Sequence, residues 1–246
     1  MKQLHVKPAS QQVVLATLPN RFAIDEAGND LRIVSGDALP GTGEGAVMIT
    51  EPGLASAEAL RALAGTSVIG LALVAAPALP DAALATLRTH EDDAPLIVDA
   101  AAETTGPLRA ALFELLVLLD TLGCRAERLR LLAATPEETM LVVESKGSWN
   151  GARISARRSF RTRFALETIS RSFRREIVID DIAVSTPAQV RLFDATGTRT
   201  ALPRYEGGLR ASWRALHLRL TEGADDGGHI ETAIRLLRLL DAAGVA

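Results

Sequence analysis

The stretch Ala46–Leu63, AVMITEPGLASAEALRAL, holds a buried-strand pattern, a Glu-Pro break and the start of an amphipathic helix. The run Ala46–Thr50 is short and apolar throughout, as a parallel strand buried on both faces should be. Glu51-Pro52 ends it, because proline has no N–H to donate and drives the residue before it out of the right-handed helical region. Ser56 then offers an N-cap to a helix with apolar residues at three and four spacing. Strand, break and helix in that order make half of a strand-helix-strand unit.

The flanking segments extend the pattern. Val68–Val74, VIGLALV, reads as a further strand, and Val13–Thr17, VVLAT, as an earlier one. Leu79–His90 reads as a second helix, with Asp81 in its first turn and Arg88 and His90 at its end, where they suit the helix dipole. From Gly106 to Gly123 the run GPLRAALFELLVLLDTLG predicts a helix buried along most of its length, with Pro107 early and Gly123 as C-cap. Beyond it the period changes. RLRLLAA, TMLVVESKG, ARISARRSF, FALETISRSF, EIVIDD and QVRLFDATG predict a largely antiparallel sheet. LRASWRALHLRL and HIETAIRLLRLLDAA return to helix, with Gly244 just past the second. The fold class is therefore α/β (α+β): a small parallel unit over residues 1–100, then an open, mostly antiparallel sheet with closing helices over residues 101–246.

At 246 residues and 48% hydrophobic, the chain can bury a full core. Its single cysteine, Cys124, excludes an intrachain disulfide and suits a reducing compartment, so a cytoplasmic location is expected. No apolar run is long enough to span a bilayer, and a net charge of -3 gives no global argument for nucleic acid or an anionic membrane. The four histidines are dispersed, with no pair at metal-ligand spacing. Lysines are confined to Lys2, Lys7 and Lys146, so chemistry that needs a lysine has few candidates.

Several segments, in order, resemble the Gfo/Idh/MocA oxidoreductases. VVLATLPNRF is similar to that family's late Rossmann strand and turn, AVMITEPGLASAEALRAL to its strand and Lys-Pro turn at the cleft, and GPLRAALFELLVLLDTLG to its histidine-bearing helix. FDATGTRTALPRYEGG and GHIETAIRLLRLLDAA resemble its last strands and terminal helix. The resemblance implies a Rossmann domain joined to an open-sheet domain that mediates oligomerisation.

The departures bear on function. The resemblance starts at a late Rossmann strand, which implies a truncated dinucleotide unit without the opening strand and its glycine-rich turn. GTGEG, Gly41–Gly45, precedes a strand instead of following one, so it fails as a dinucleotide fingerprint. Glu51 stands where the family has its lysine, and Phe113 or Glu114 where it has its histidine. Phe113 cannot move a proton, and Glu114 can only if burial raises its pKa. The expectation is a degenerate, non-catalytic subunit without a cofactor of its own, forming a homo-oligomer or a heteromer with a full-length relative that supplies NAD or NADP. The alternatives are an active NAD(P)-dependent oxidoreductase on a sugar, polyol or imine-like molecule, and a small-ligand-binding module.

The run ARISARRSFRTRF is locally basic. Read as a strand, it puts Arg153, Ser155, Arg157, Ser159 and Arg161 on one face and Ile154, Ala156 and Phe160 on the other. The basic face is expected to be a wet sheet face or a protein interface. Nucleic acid is not expected, because the aromatic residue cannot stack between arginines on the opposite face.

Overall fold

The computed structural model describes residues 3–6, 15, 17–18, 20–24, 30–40, 45–79, 95–145, 151–180, 187–203, 206–224 and 228–245. Two sheets dominate. In the first, β1 (Leu4–Val6), β2 (Phe22–Ile24), β3 (Leu31–Ser35), β4 (Gly45–Thr50) and β5 (Ser67–Leu71) are all parallel, in the order β2-β1-β3-β4-β5. From β4, Val47 and Ile49 join one hydrophobic cluster and Ala46 and Met48 the other, so both faces of the strand are covered. That two-sided burial is why the run carries no polar alternation. After the Glu-Pro break, α1 (Ala57–Ala64) begins at Ser56, whose Oγ accepts the Ala59 N–H at 3.1 Å.

The second sheet is entered by β6 (Ile97–Thr104), from which α2 (Leu108–Thr121) returns the chain across its inner face. Pro107 precedes the helix and Gly123, at φ 95°, follows it, as the sequence predicts. β7 (Ala126–Ala134), β8 (Glu138–Ser145), β9 (Ala152–Arg158), β10 (Arg163–Ile169), β11 (Phe173–Asp180), β12 (Gln189–Asp194) and β13 (Gly197–Thr200) complete the order β13-β12-β11-β10-β6-β9-β8-β7. Its pairs are antiparallel except β6 with β9, which run parallel. Two helices close the structure. Trp213 and Leu216 of α3 (Gly208–Glu222) pack with Met48, Phe22 and Leu31 on the first sheet, and α4 (His229–Ala242) packs against α1 and α2. Among the described residues no helix is long and apolar enough to cross a membrane.

The front of the chain departs from the sequence reading. Leu15 is helical, so VVLAT is not a strand there, and its Val13, Val14 and Ala16 lie outside the described residues, as does most of the Leu79–His90 helix. The opening strand, expected to have no counterpart, is β1, an interior strand of the first sheet between β2 and β3. It is three residues long, too short to show a period. β6 begins at Ile97, and α3 returns from the later sequence to cover the first sheet, so the two halves interlock.

Candidate functional site

The C-terminal ends of β3, β4 and β5 meet on one side of the first sheet. β1 lies beside β3 with β2 on its far side, so the strand order reverses between β1 and β3. In open parallel sheets such a reversal leaves a crevice outside the strand ends, where ligands bind. At the end of β4, Glu51 takes φ 49°, ψ 52°, the left-handed conformation, and among the described residues no other non-glycine residue has a positive φ. Pro52 removes the right-handed region from its predecessor's choices and starts the short 3-10 turn Pro52–Leu54, while the left-handed conformation itself is imposed by the turn's packing. Such a conformation costs on the order of 1 kcal/mol or more and persists only when its surroundings hold it.

Those surroundings are visible. Gly36 packs so close to the turn that a Cβ there would lie 2.3 Å from the Glu51 carbonyl oxygen. Gly53 is pressed on α2, where a Cβ would lie 2.7 Å from the Phe113 Cβ and 2.8 Å from the Ala110 Cα. Arg109 of α2 donates from Nε to the Gly53 carbonyl at 2.9 Å, from Nη2 to Asp241 at 2.6 Å and from Nη1 to the Val245 carbonyl. Thr50 Oγ1 donates to the Val34 carbonyl at 3.2 Å. The turn is thereby clamped from β3, α2 and the C-terminus, while the Glu51 side chain stays exposed. Its Oε1 lies 3.7 Å from where a Gly106 Cβ would stand, beside the turn in which Gly106 donates to Thr104 Oγ1.

Phe113 and Glu114 are both buried. Phe113 is fully buried beneath Gly53, where it serves packing. Glu114 is buried as well, on the side of α2 facing the end of β5, and its carboxylate accepts the Val74 N–H at 2.8 Å and the Ala75 N–H at 3.0 Å. Burial pushes its pKa up to about 7, against the opposing pull of the two N–H groups. The same short segment is held from the other side by Ser212 of α3, whose Oγ lies 3.2 Å from both the N and the O of Leu73.

Arg153, Arg157 and Arg161 lie on the uncovered face of the second sheet. Arg153 pairs with Asp99, and Arg157 and Arg161 both pair with Glu103. Parallel pairing of β6 with β9 makes this register, setting Asp99 opposite Arg153 and Glu103 opposite Arg157. The hydrogen bonds from Arg157 and then Arg161 hold the Glu103 carboxyl below its usual range. Phe160 does not pack inward as expected: β9 ends at Arg158, alternation ends with it, and the ring is 91% exposed. Sequence reasoning missed Asp99 and Glu103, because nothing in the order of residues showed that β6 and β9 would be neighbours.

No protein-family model matches this sequence, and no curated protein matches it. Solved structures do match it in fold. The UDP-N-acetylglucosamine 3-dehydrogenase GnnA from Acidithiobacillus ferrooxidans aligns over 100% of this chain and 98% of its own, at 11% identity and TM-score 0.69. KijD10, a 3-ketoreductase from Actinomadura kijaniata solved with TDP-benzene and NADP, aligns over 99% of this chain and 98% of its own, at 10% identity and TM-score 0.69. These end-to-end alignments give no support for a unit missing its first half. They also correct the expectation that no nucleotide cofactor is involved, since KijD10 is described in complex with NADP. The chain is built on the Rossmann-like two-sheet fold of these oxidoreductases, in agreement with the resemblance to Gfo/Idh/MocA proteins.

Proposed function

We propose that the chain is an NAD(P)-dependent oxidoreductase acting on a hydroxyl or carbonyl group of a sugar-like small molecule. The observation that carries this reading is the reversal of strand order between β1 and β3, with the clamped Glu51 turn at the neighbouring strand end. The rim suits a nucleotide in part. Ser35 ends β3 with its hydroxyl uncommitted to the turn that follows, and Asp37 is exposed one residue past Gly36. The segment after β1, residues 7–14, lies outside the described residues. Bound in the crevice at the strand ends, a nicotinamide would supply or accept the hydride.

Glu51 is the acid-base candidate. Its backbone is fixed by the turn at the strand end, and its exposed carboxylate can accept a proton from a substrate hydroxyl brought to that rim. The activities of these neighbours fit this catalytic reading as well as they fit an accessory role. Titration of NADP against the protein should give saturable binding in the micromolar range, about -8 kcal/mol. Glu51→Gln should keep that binding and lose about 10²–10⁴-fold in turnover of a ketosugar screened by NADPH absorbance. Absence of cofactor binding, or equal turnover in the variant, would falsify the reading.

The uncovered sheet face is the proposed contact between copies of this chain, with Arg153, Arg157 and Arg161 at or near it. Because Arg157 and Arg161 both pair with Glu103, the double change Arg157→Glu and Arg161→Glu places three carboxylates together. Light scattering should show dissociation, while the melt falls by only the roughly 1 kcal/mol expected of exposed pairs. An unchanged mass would remove this strand from the contact.

A further inference from the structure

A groove on another part of the molecule is lined by arginines from three separate elements. One cavity of about 590 Å³ is bordered by Arg125, Glu127, Arg235 and Leu239, and an adjoining one of about 470 Å³ by Arg61, Arg125, Glu231, Arg235, Arg238 and Leu239. Arg61 comes from α1, Arg125 from the residues just before β7, and Arg235 and Arg238 from α4, which packs against both α1 and β7.

The four guanidinium groups differ in state. Arg235 is fixed: it donates to the Ala126 carbonyl at 2.7 Å and pairs with Asp120, so its charge is offset and its remaining N–H groups are held in place. Among the described residues Arg61, Arg125 and Arg238 make no ion pair. The open sheet face is the opposite case, because Arg153, Arg157, Arg161, Arg163 and Arg174 each have a carboxylate partner there. Three unpaired cations beside two carboxylates, around a prefixed fourth cation and an apolar floor at Leu239, make a cationic groove open to a ligand. Guanidinium forks match phosphate oxygens two at a time, and convergence from three elements suits more than one anionic group.

We propose that this groove binds a small phosphate-bearing polyanion, of the size and charge of a diphosphate, at a site separate from the strand-end crevice. The inference does not depend on the oxidoreductase reading.

Inorganic pyrophosphate is the probe. Calorimetry at low ionic strength should show one saturable site per chain, and citrate should bind at least tenfold more weakly because its carboxylates fit the forks at different spacing. Arg125→Ala combined with Arg238→Ala should weaken pyrophosphate at least tenfold, whereas Arg171→Ala combined with Arg199→Ala, which removes as much charge elsewhere, should leave it unchanged. All four positions are exposed, and thermal melts check the folding of each variant. Should the first pair destabilise the protein, Arg61→Ala provides the same test from another element, with a loss of at least threefold expected. Retained affinity in the groove variants, equal loss in the control pair, or no saturation by pyrophosphate would each overturn the proposal.

Discussion

Replacing Glu114 by alanine should lower stability by about 3 kcal/mol, read as a fall of roughly 6–12 °C in melting temperature for a chain of this size. The substitution leaves the Val74 and Ala75 N–H groups without their acceptor in a buried place, and opens a gap between α2 and the Leu73–Ala75 segment. The wild-type group also sets a pH dependence. Its folded pKa of about 7 lies above the ordinary 4.5, so between those values the folded chain holds a proton that the unfolded chain releases. Stability should therefore fall as pH rises through that window, by on the order of 3 kcal/mol in all, and level off above it. Below it both states are protonated, the slope vanishes and stability is at its full value. Glu114→Gln should flatten the slope, because it cannot ionise. A melt series from pH 4 to 8 that shows equal slopes in the two proteins would mean that Glu114 is not the titrating group.

The second large effect is expected from Gly208→Ala. A Cβ at Gly208 would lie 2.0 Å from the Val74 carbonyl oxygen and 2.6 Å from its carbon, both backbone atoms that cannot rotate away. α3 must then lift from the first sheet, loosening Trp213, which is fully buried with the Phe22 ring edge-on at 5.3 Å, and the Ser212 bonds to Leu73. The cost should exceed about 3 kcal/mol, at the upper end for overpacking, with loss of the near-ultraviolet signal of Trp213. Gly65→Ala is the control. Its nearest neighbour would be 3.6 Å away at an ordinary φ of -73°, so it should be neutral or stabilise by about 0.4–1 kcal/mol. Similar melts for the two variants would show that Gly208 is not a close-contact position.

Both predictions converge on Leu73–Ala75, and that segment shows where sequence reading works and where it stops. The strand at Ala46–Thr50, the Ser56 cap and the helix between Pro107 and Gly123 were legible because each is decided by residues near one another in the chain. The short opening strands were not, since β1 and β2 span three residues each and are held by their neighbours. Glu114 was visible as a residue whose role depends on burial, but its partners lie about forty positions earlier and are backbone groups, which no spacing of side chains reveals. Glu51 was marked by the Glu-Pro pair. Its left-handed backbone and its clamp came from Gly36, Gly53 and Arg109, which only the folded chain brings together.

The parallel pairing of β6 with β9 has a consequence for synthesis. β6 sits inside the sheet between β9 and β10, so neither edge of it can be paired as it leaves the ribosome. Its second neighbour is complete only at Ile169, roughly sixty-five residues after β6 ends, a wait of about 3–13 s at ordinary translation rates of about 5–20 residues per second. Until β9 is complete at Arg158, α2, apolar on nearly every side, follows a strand with neither edge paired. The nascent chain therefore passes through a stage in which its most hydrophobic segment is shielded only by whatever binds it, and a chaperone-poor host should yield aggregate at that length.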